Sequence, residues 1–152
     1  MPPAEVTRPV VERLVALADV VKVSDEDLGL IYPGATALDI ASRWLDAGAR
    51  LVVITRGSGG AEAFRQGERI AVPSLPVTVV DTVGAGDTFQ AALIAGLAER
   101  GIWNGPALDA LEAEQVRSLL AFAGAAAALT CSRRGAEPPR RSELAPFDEG
   151  RV

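Results

Sequence analysis

A carboxylate placed just after a glycine turn, where a helix begins, can move a proton beside a bound anion. The run Asp81-Thr82-Val83-Gly84-Ala85-Gly86-Asp87-Thr88-Phe89 has that order of residue types. Before it, Val77-Thr78-Val79-Val80 favours a strand; after it comes an Ala/Leu-rich helical pattern. Strand, glycine turn and helix N-terminus together collect uncommitted backbone N–H groups and the positive end of a helix dipole, which attract phosphate oxygens. Asp87 is a poor phosphate ligand there, but it suits a base that takes the proton of a hydroxyl attacking phosphorus. As a capping acid alone it would contribute roughly 0.3–1 kcal/mol to the helix. Gly84, Ala85 and Gly86 make the turn and also leave its amides uncovered, so they can stabilise charge that develops on a transferred group.

A second loop of small residues, Thr55-Arg56-Gly57-Ser58-Gly59-Gly60, follows the apolar run Leu51-Val52-Val53-Ile54. Such a run reads as a strand buried on both faces, which puts the loop at the carboxyl edge of a sheet, where ligands bind in open α/β folds. Neither glycine loop ends in Gly-Lys-Ser/Thr, so neither is a Walker A motif. Phe89 stands where a dinucleotide fingerprint needs its third glycine, which disfavours NAD.

The elements that must hold these loops are legible from periodicity. Val10 to Ala18 reads as a short helix and Val20 to Val23 as a strand. Ser24 N-caps a short helix through Leu28, and Ala35 to Ala47 is a helix with Thr36 as its cap and Gly48 as its stop. Ala61 to Arg65 and Arg69 to Val72 form a hairpin turning at Gln66-Gly67; Pro73 and Pro76 break the chain, and Val77 to Val80 is the next strand. A helix runs from Gly86 to about Arg100 with Phe89, Ala92, Leu93, Gly96 and Leu97 on one stripe. Asn104 to Asp109 is a connector, Glu112 to about Leu129 a second long helix, and a short tail helix lies near Leu144. Strands alternating with helices predict one α/β domain over 1–152, Rossmann-like, with a largely parallel sheet flanked by helices. Trp44, Trp103 and Phe89 read as packing residues.

Composition narrows the chemistry. The chain has 152 residues, 49% of them hydrophobic, enough for a core and against disorder. It lacks histidine, which excludes Ser-His-Asp catalysis and His-bearing zinc sites. Cys131 is the only cysteine, so no intrachain disulfide forms. The net charge of −5, with only Arg133-Arg134 and Arg140-Arg141 as basic pairs, argues against nucleic acid. No apolar run reaches the ~20 residues of a membrane span, and Met1-Pro2-Pro3-Ala4-Glu5 does not open a signal peptide, so a cytoplasmic protein is expected.

Asp81–Phe89 resembles the C-terminal signature of the ribokinase-like (PfkB) carbohydrate kinases. Thr55-Arg56-Gly57-Ser58-Gly59-Gly60 resembles that family's ATP-side Thr-x-Gly-x-x-Gly loop. Val21-Lys22-Val23-Ser24-Asp25-Glu26-Asp27-Leu28 is similar to the segment where the family has Asn-x-x-Glu, with Ser24 and Asp27 in place of Asn and Glu. Phe122 to Thr130, with Arg134-Gly135-Ala136 after it, is similar to the closing helix and its adenine and cation loop. The wording Lys22 to Glu26, with Ala127 to Cys131, is most similar to bacterial fructokinase-type members.

The resemblance implies the C-terminal part of a ribokinase-like fold, carrying the ATP side and the catalytic base. The sugar-binding half and the lid of such kinases have no counterpart in this sequence. It implies Asp87 as base, Gly84 to Gly86 as anion hole, and Thr55, Gly57, Gly60, Lys22 and Gly124 around ATP. Asp27 would organise Mg²⁺, while backbone carbonyls of Asp81, Val83, Thr130, Arg133 and Gly135 would hold K⁺. The implied activity is transfer of the ATP γ-phosphoryl group to a sugar hydroxyl, fructokinase-like. Two alternatives stay open: a non-catalytic nucleotide-binding module, or a kinase for 2-keto-3-deoxygluconate, ribose or a nucleoside. The partners implied are a small sugar and either a second copy of the chain or a sugar-binding half, with no nucleic acid and no membrane.

Overall fold

The largely β-branched run Leu51-Val52-Val53-Ile54 offers water no polar side chain, and it becomes the best-buried strand of the fold, at most 1% exposed. The computed structural model describes residues 3–147, so Met1 and Pro2 of the N-terminal reading lie outside it. In chain order the elements are α1 (Ala4–Val15), β1 (Val20–Ser24), α2 (Asp25–Ile31), α3 (Ala37–Asp46), β2 (Leu51–Thr55), β3 (Ala61–Arg65), β4 (Glu68–Val72), α4 (Ala85–Glu99), α5 (Gly105–Asp109) and α6 (Ala113–Cys131). Short 3-10 turns occupy Gly57–Gly59 and Arg141–Phe147.

The strands lie in the order β1-β2-β3-β4. β1 and β2 are parallel, with Val20 opposite Leu51 and Ser24 opposite Thr55. The other two pairings are antiparallel, so the expected largely parallel sheet is corrected: one pairing of these three is parallel. The reason is the hairpin at Gly67, whose φ of 74° only glycine adopts without strain, and the tight turn at Gly57–Gly59. Short connections reverse a chain, whereas parallel neighbours need a crossover.

Alternation along β2 sends Leu51 and Val53 to one core and Val52 and Ile54 to the other. The first core is closed by α4 and α6, with Leu93, Leu119 and Leu120 fully buried. The second is closed by α1, α2 and α3 around Trp44, whose Nε1 donates to the Tyr32 hydroxyl at 3.3 Å. α4 and α6 run antiparallel and close: the Thr88 and Thr130 hydroxyls meet at one end, and at the other a Cβ on Gly96 would stand 2.6 Å from Leu119 Cδ1. Truncating a core leucine such as Leu119 to Ala should destabilise by about 2–5 kcal/mol.

Four element expectations change. Val77–Val80 is not a strand; it runs irregular over α6, and the Val80 and Asp81 amides both donate to the Cys131 carbonyl, at 2.8 and 3.2 Å. The amide at its end is thus taken by a helix terminus rather than by a sheet neighbour, and Val79 and Val80 are exposed. α1 begins at Ala4, ahead of Pro9; Glu5, the residue whose carbonyl loses its helical donor at Pro9, is exposed. Arg8 also ties that early part to the Ile31 carbonyl, at 3.0 Å from Nη2. The connector at Asn104 is a short helix, with Asn104 capping the Ala107 amide at 2.9 Å. β4 starts at Glu68, one residue before the expected Arg69.

Other sequence readings match the geometry. Ser24 accepts from the Asp27 amide at 3.0 Å, and Thr36 forms a capping box with Asp39. Arg133 and Arg141 sit on the surface and pair with Glu143 and Glu99. No helix among the described residues is long and apolar enough to cross a membrane.

Candidate active site

α4 begins where the glycine turn predicts. Gly84 is its N-cap with φ 78°, and no side chain caps this terminus; the Ala85 amide donates to the Thr82 carbonyl at 3.3 Å, which leaves the Gly86 and Asp87 amides for a ligand. Gly84 is required twice over: a Cβ there would lie 2.6 Å from Ala136 Cβ and 3.0 Å from Ala136 Cα. Asp87 stands exposed in the first turn of α4, not packed into the interior.

One cleft of about 450 Å³ opens beside this helix start, and Ala85 and Gly86 line it together with Thr55, Gly57, Gly60 and Gly124. The Thr55–Gly60 loop arrives from the end of β2. Gly60 has φ 88°, and a Cβ there would come within 2.1 Å of the Val72 carbonyl, so the loop is seated directly on β4. On the α6 side the cleft follows Gly124, Ala127, Ala128 and Cys131, roughly 10 Å of helix at about 1.5 Å per residue. Leu75, Val77 and Val79 form the facing wall, and Phe89, read as a packing residue, is buried but also borders the cleft.

Lys22 reaches the same place from β1. Its Nζ lies 3.3 Å from the point where a Cβ on Gly86 would stand. Burial lowers the Lys22 ammonium from its ordinary range, while the carboxylates of Asp27 and then Asp87 pull it back upward. Lysine, two carboxylates and the glycine turn therefore share one neighbourhood. Asp27 is partly committed: the Ser24 hydroxyl donates to its Oδ2 at 2.8 Å.

The candidate cation residues form a second knot behind the turn. Asp81 accepts from the Val83 amide at 3.0 Å and from the Gly135 amide at 2.9 Å. These bonds, Val83 first, hold the Asp81 carboxyl below its usual range. The Thr130 carbonyl accepts the Arg133 amide at 3.1 Å. Asp81, Val83, Thr130, Arg133 and Gly135 are thereby drawn to one junction between the turn and the end of α6.

A larger hollow of about 580 Å³ contains none of the candidate catalytic, nucleotide or cation residues. Its arginines are committed, Arg50 to Asp19 and Asp109, Arg65 to Glu68 and the Leu111 carbonyl.

The pattern of the pfkB family carbohydrate kinases matches residues 1–143. The chain belongs to this family. A fructokinase of Rhizobium leguminosarum bv. trifolii is 48% identical over 87 residues, which is 57% of this chain and 27% of that enzyme. The structure of a Xylella fastidiosa fructokinase with bound ATP superposes with a TM-score of 0.81 at 29% identity, over 90% of this chain and 44% of that one. A Vibrio cholerae fructokinase, solved with fructose, ADP and calcium, gives a TM-score of 0.77 at 28% identity, over 93% of this chain and 44% of that one. A variant of the Vibrio enzyme was solved with potassium instead. The chain has the ribokinase-like α/β fold and spans less than half the length of these pfkB kinases.

Some neighbours of the site escaped the sequence reading. Arg56 and Glu62 form an ion pair at 2.6 Å behind the Gly57–Gly60 loop, and Thr130 bonds Thr88 in the interior. Neither pair has a local sequence signal, because its members are brought together by strand and helix packing.

Proposed function

We propose that this chain carries the nucleotide-binding and base-bearing part of an ATP-dependent sugar kinase, fructokinase-like. The observation that carries this reading is the single cleft lined by both glycine loops and Gly124, with Lys22, which is not itself a lining residue, reaching Gly86 at its edge. Thr55, Gly57 and Gly60 bind the nucleotide phosphates, and Gly124 lies beside the base. Lys22 and the amides of the turn from Gly84 to Asp87 stabilise charge on the transferred phosphoryl group. Asp87 accepts the proton of the attacking sugar hydroxyl. The ATP and fructose named for the Xylella and Vibrio structures support this ligand set.

Magnesium enters with the nucleotide. Asp27 and Asp87 are the carboxylates that would face it, and few protein ligands are needed, since Mg²⁺ keeps several waters beside phosphate. Among the described residues no three metal-binding side chains cluster. The knot at Asp81 would hold a monovalent cation through carbonyl oxygens, a donor set suited to hard cations. We further infer a single domain, working in the cytoplasm on a small sugar, whose acceptor site is completed by a sugar-binding half or a second copy.

A second reading is a nucleotide-binding module without turnover, since the residues that line the cleft are the two glycine loops and the α6 wall and do not include Asp87. Sugar-dependent release of ADP from MgATP decides between them, with Asp87→Ala as control and fructose, ribose and 2-keto-3-deoxygluconate as acceptors. Turnover lost in Asp87→Ala supports the kinase. MgADP binding without turnover supports the module, and equal turnover in both proteins removes Asp87 from its role.

A further inference from the structure

Behind the sheet, on the face opposite the cleft, a carboxylate is buried. Glu62 on β3 is 7% exposed and stands in register opposite Ile54 and Ala71. Its neighbours Ala61 and Ala63 belong to the α4–α6 core, whereas Phe64, on the same face as Glu62, belongs to the α1–α3 core. A carboxylate in such a place requires cationic partners, and it has two. Arg69 Nη2 donates to Oε1 at 2.5 Å, and Arg56 Nη2 lies 2.6 Å from Oε2. The Arg56 contact is ionic but off the angle of a hydrogen bond, so Arg56 Nε and Glu62 Oε2 are both buried without one.

The two arginines differ in what they hold. Arg69 is inside β4, where the ladder to β3 already fixes the backbone. Arg56 is the first residue after β2 and closes the nucleotide loop on itself. Its amide donates to the Gly60 carbonyl at 2.8 Å, and its carbonyl accepts the Gly59 amide at 2.8 Å. Among the described residues no side chain caps the Gly57–Gly59 turn. Beyond the backbone pairing of the β2–β3 hairpin, the Arg56–Glu62 ion pair is a side-chain tie from that loop to the sheet.

We propose that Glu62 is a positioning residue: through Arg56 it holds the Gly57–Gly60 loop in the conformation that lines the cleft. Its effect on ligand affinity rests on the nucleotide reading above; its effect on loop order does not. One surplus positive charge remains in the Arg56–Glu62–Arg69 group, which favours a polyphosphate nearby.

The test compares Glu62→Gln, Arg56→Met and Arg69→Met with the parent chain. Amide hydrogen exchange at residues 57–60 reads the loop, calorimetry reads MgADP affinity, and thermal melting reads the fold. Glu62→Gln and Arg56→Met should both speed exchange at Gly59 and Gly60 at least tenfold and weaken MgADP at least tenfold. Arg69→Met should lower the melting temperature while leaving exchange and affinity within threefold. If Glu62→Gln is folded and its loop exchange stays within threefold of the parent, the proposal is overturned. If it proves too unstable to study, Arg56→Met alone decides, by the same limit. A parent chain that binds no MgADP defeats the nucleotide reading, and the exchange comparison still decides the role of Glu62.

Discussion

The Thr130 hydroxyl meets the Thr88 hydroxyl at 3.1 Å in the closed interior between α6 and α4. Thr130 is fully buried and its oxygen also lies 3.2 Å from the Ala126 carbonyl. Thr88 follows Asp87 directly, so this bond fixes the first turn of α4 against the helix that walls the cleft. Replacing Thr130 by Val keeps the volume but leaves the buried Thr88 hydroxyl without this partner. The expected loss is about 1–3 kcal/mol of unfolding free energy by urea titration. Thr130→Ser should recover most of it; a Val variant as stable as the parent chain would mean the bond contributes nothing.

Gly84 and Gly86 should respond differently to alanine. At Gly84 the backbone is left-handed, a conformation that disfavours Cβ by roughly 1–2 kcal/mol, and the methyl would overlap Ala136 as well. Gly84→Ala should therefore melt markedly lower than the parent. At Gly86 the only close neighbour is the mobile end of Lys22, at 3.3 Å, so Gly86→Ala should fold normally while weakening MgADP. Paired melting and binding curves check this, and equal melting temperatures for the two variants would refute the assignment of strain to Gly84.

Lys22 carries a pH signature. Burial sets its folded-state pKa below its ordinary 10.5, so the folded chain holds that proton less tightly than the unfolded chain does. The protonated lysine therefore opposes folding below the lowered value, and this opposition fades as pH rises from there to 10.5. Lys22→Met should be at least as stable as the parent at pH 7, and the difference should shrink toward pH 10. The same substitution should weaken MgADP at neutral pH at least tenfold. Denaturation at several pH values with parallel calorimetry tests both halves; a Met variant that binds MgADP as well as the parent removes Lys22 from the site.

Cys131 offers a chemical probe of the cleft it lines. Burial first, and the nearby Asp81 charge second, push its thiol above the ordinary 9.0. The thiolate is the reactive form, so modification by a disulfide reagent should be slow at pH 7 and speed up only at higher pH than for an exposed thiol. Saturating MgADP should slow it further by covering the α6 wall. Labelling rates unchanged by nucleotide would show that MgADP lies elsewhere.

Much of the site was legible because its chemistry is local. Glycines at a turn, a carboxylate one residue beyond and a strand before the second loop are properties of short stretches, and each was found where periodicity put it. Val77–Val80 departs from the expected strand for the opposite reason. Its β-branched residues fit a strand, but whether they form one depends on which backbone groups are nearest, and those belong to the end of α6. The parallel sheet was overestimated in the same way, since strand direction is set by the connections and not by side-chain alternation.

The sequence by itself determined the glycine loops, the placing of Asp87 in a helix's first turn, the caps at Ser24 and Thr36 and the split of β2 between two cores. These follow from backbone sterics, hydrogen-bonding side chains and alternation, all of which act within a few residues. Only the tertiary structure decided that Thr55, Gly57, Gly60, Gly86 and Gly124 share one cleft. It alone set Lys22 against Gly86, Thr130 against Thr88, and Glu62 behind the loop through Arg56. Those relations join residues far apart in the chain, and the burial of apolar surface on both faces of the sheet is what brings them together.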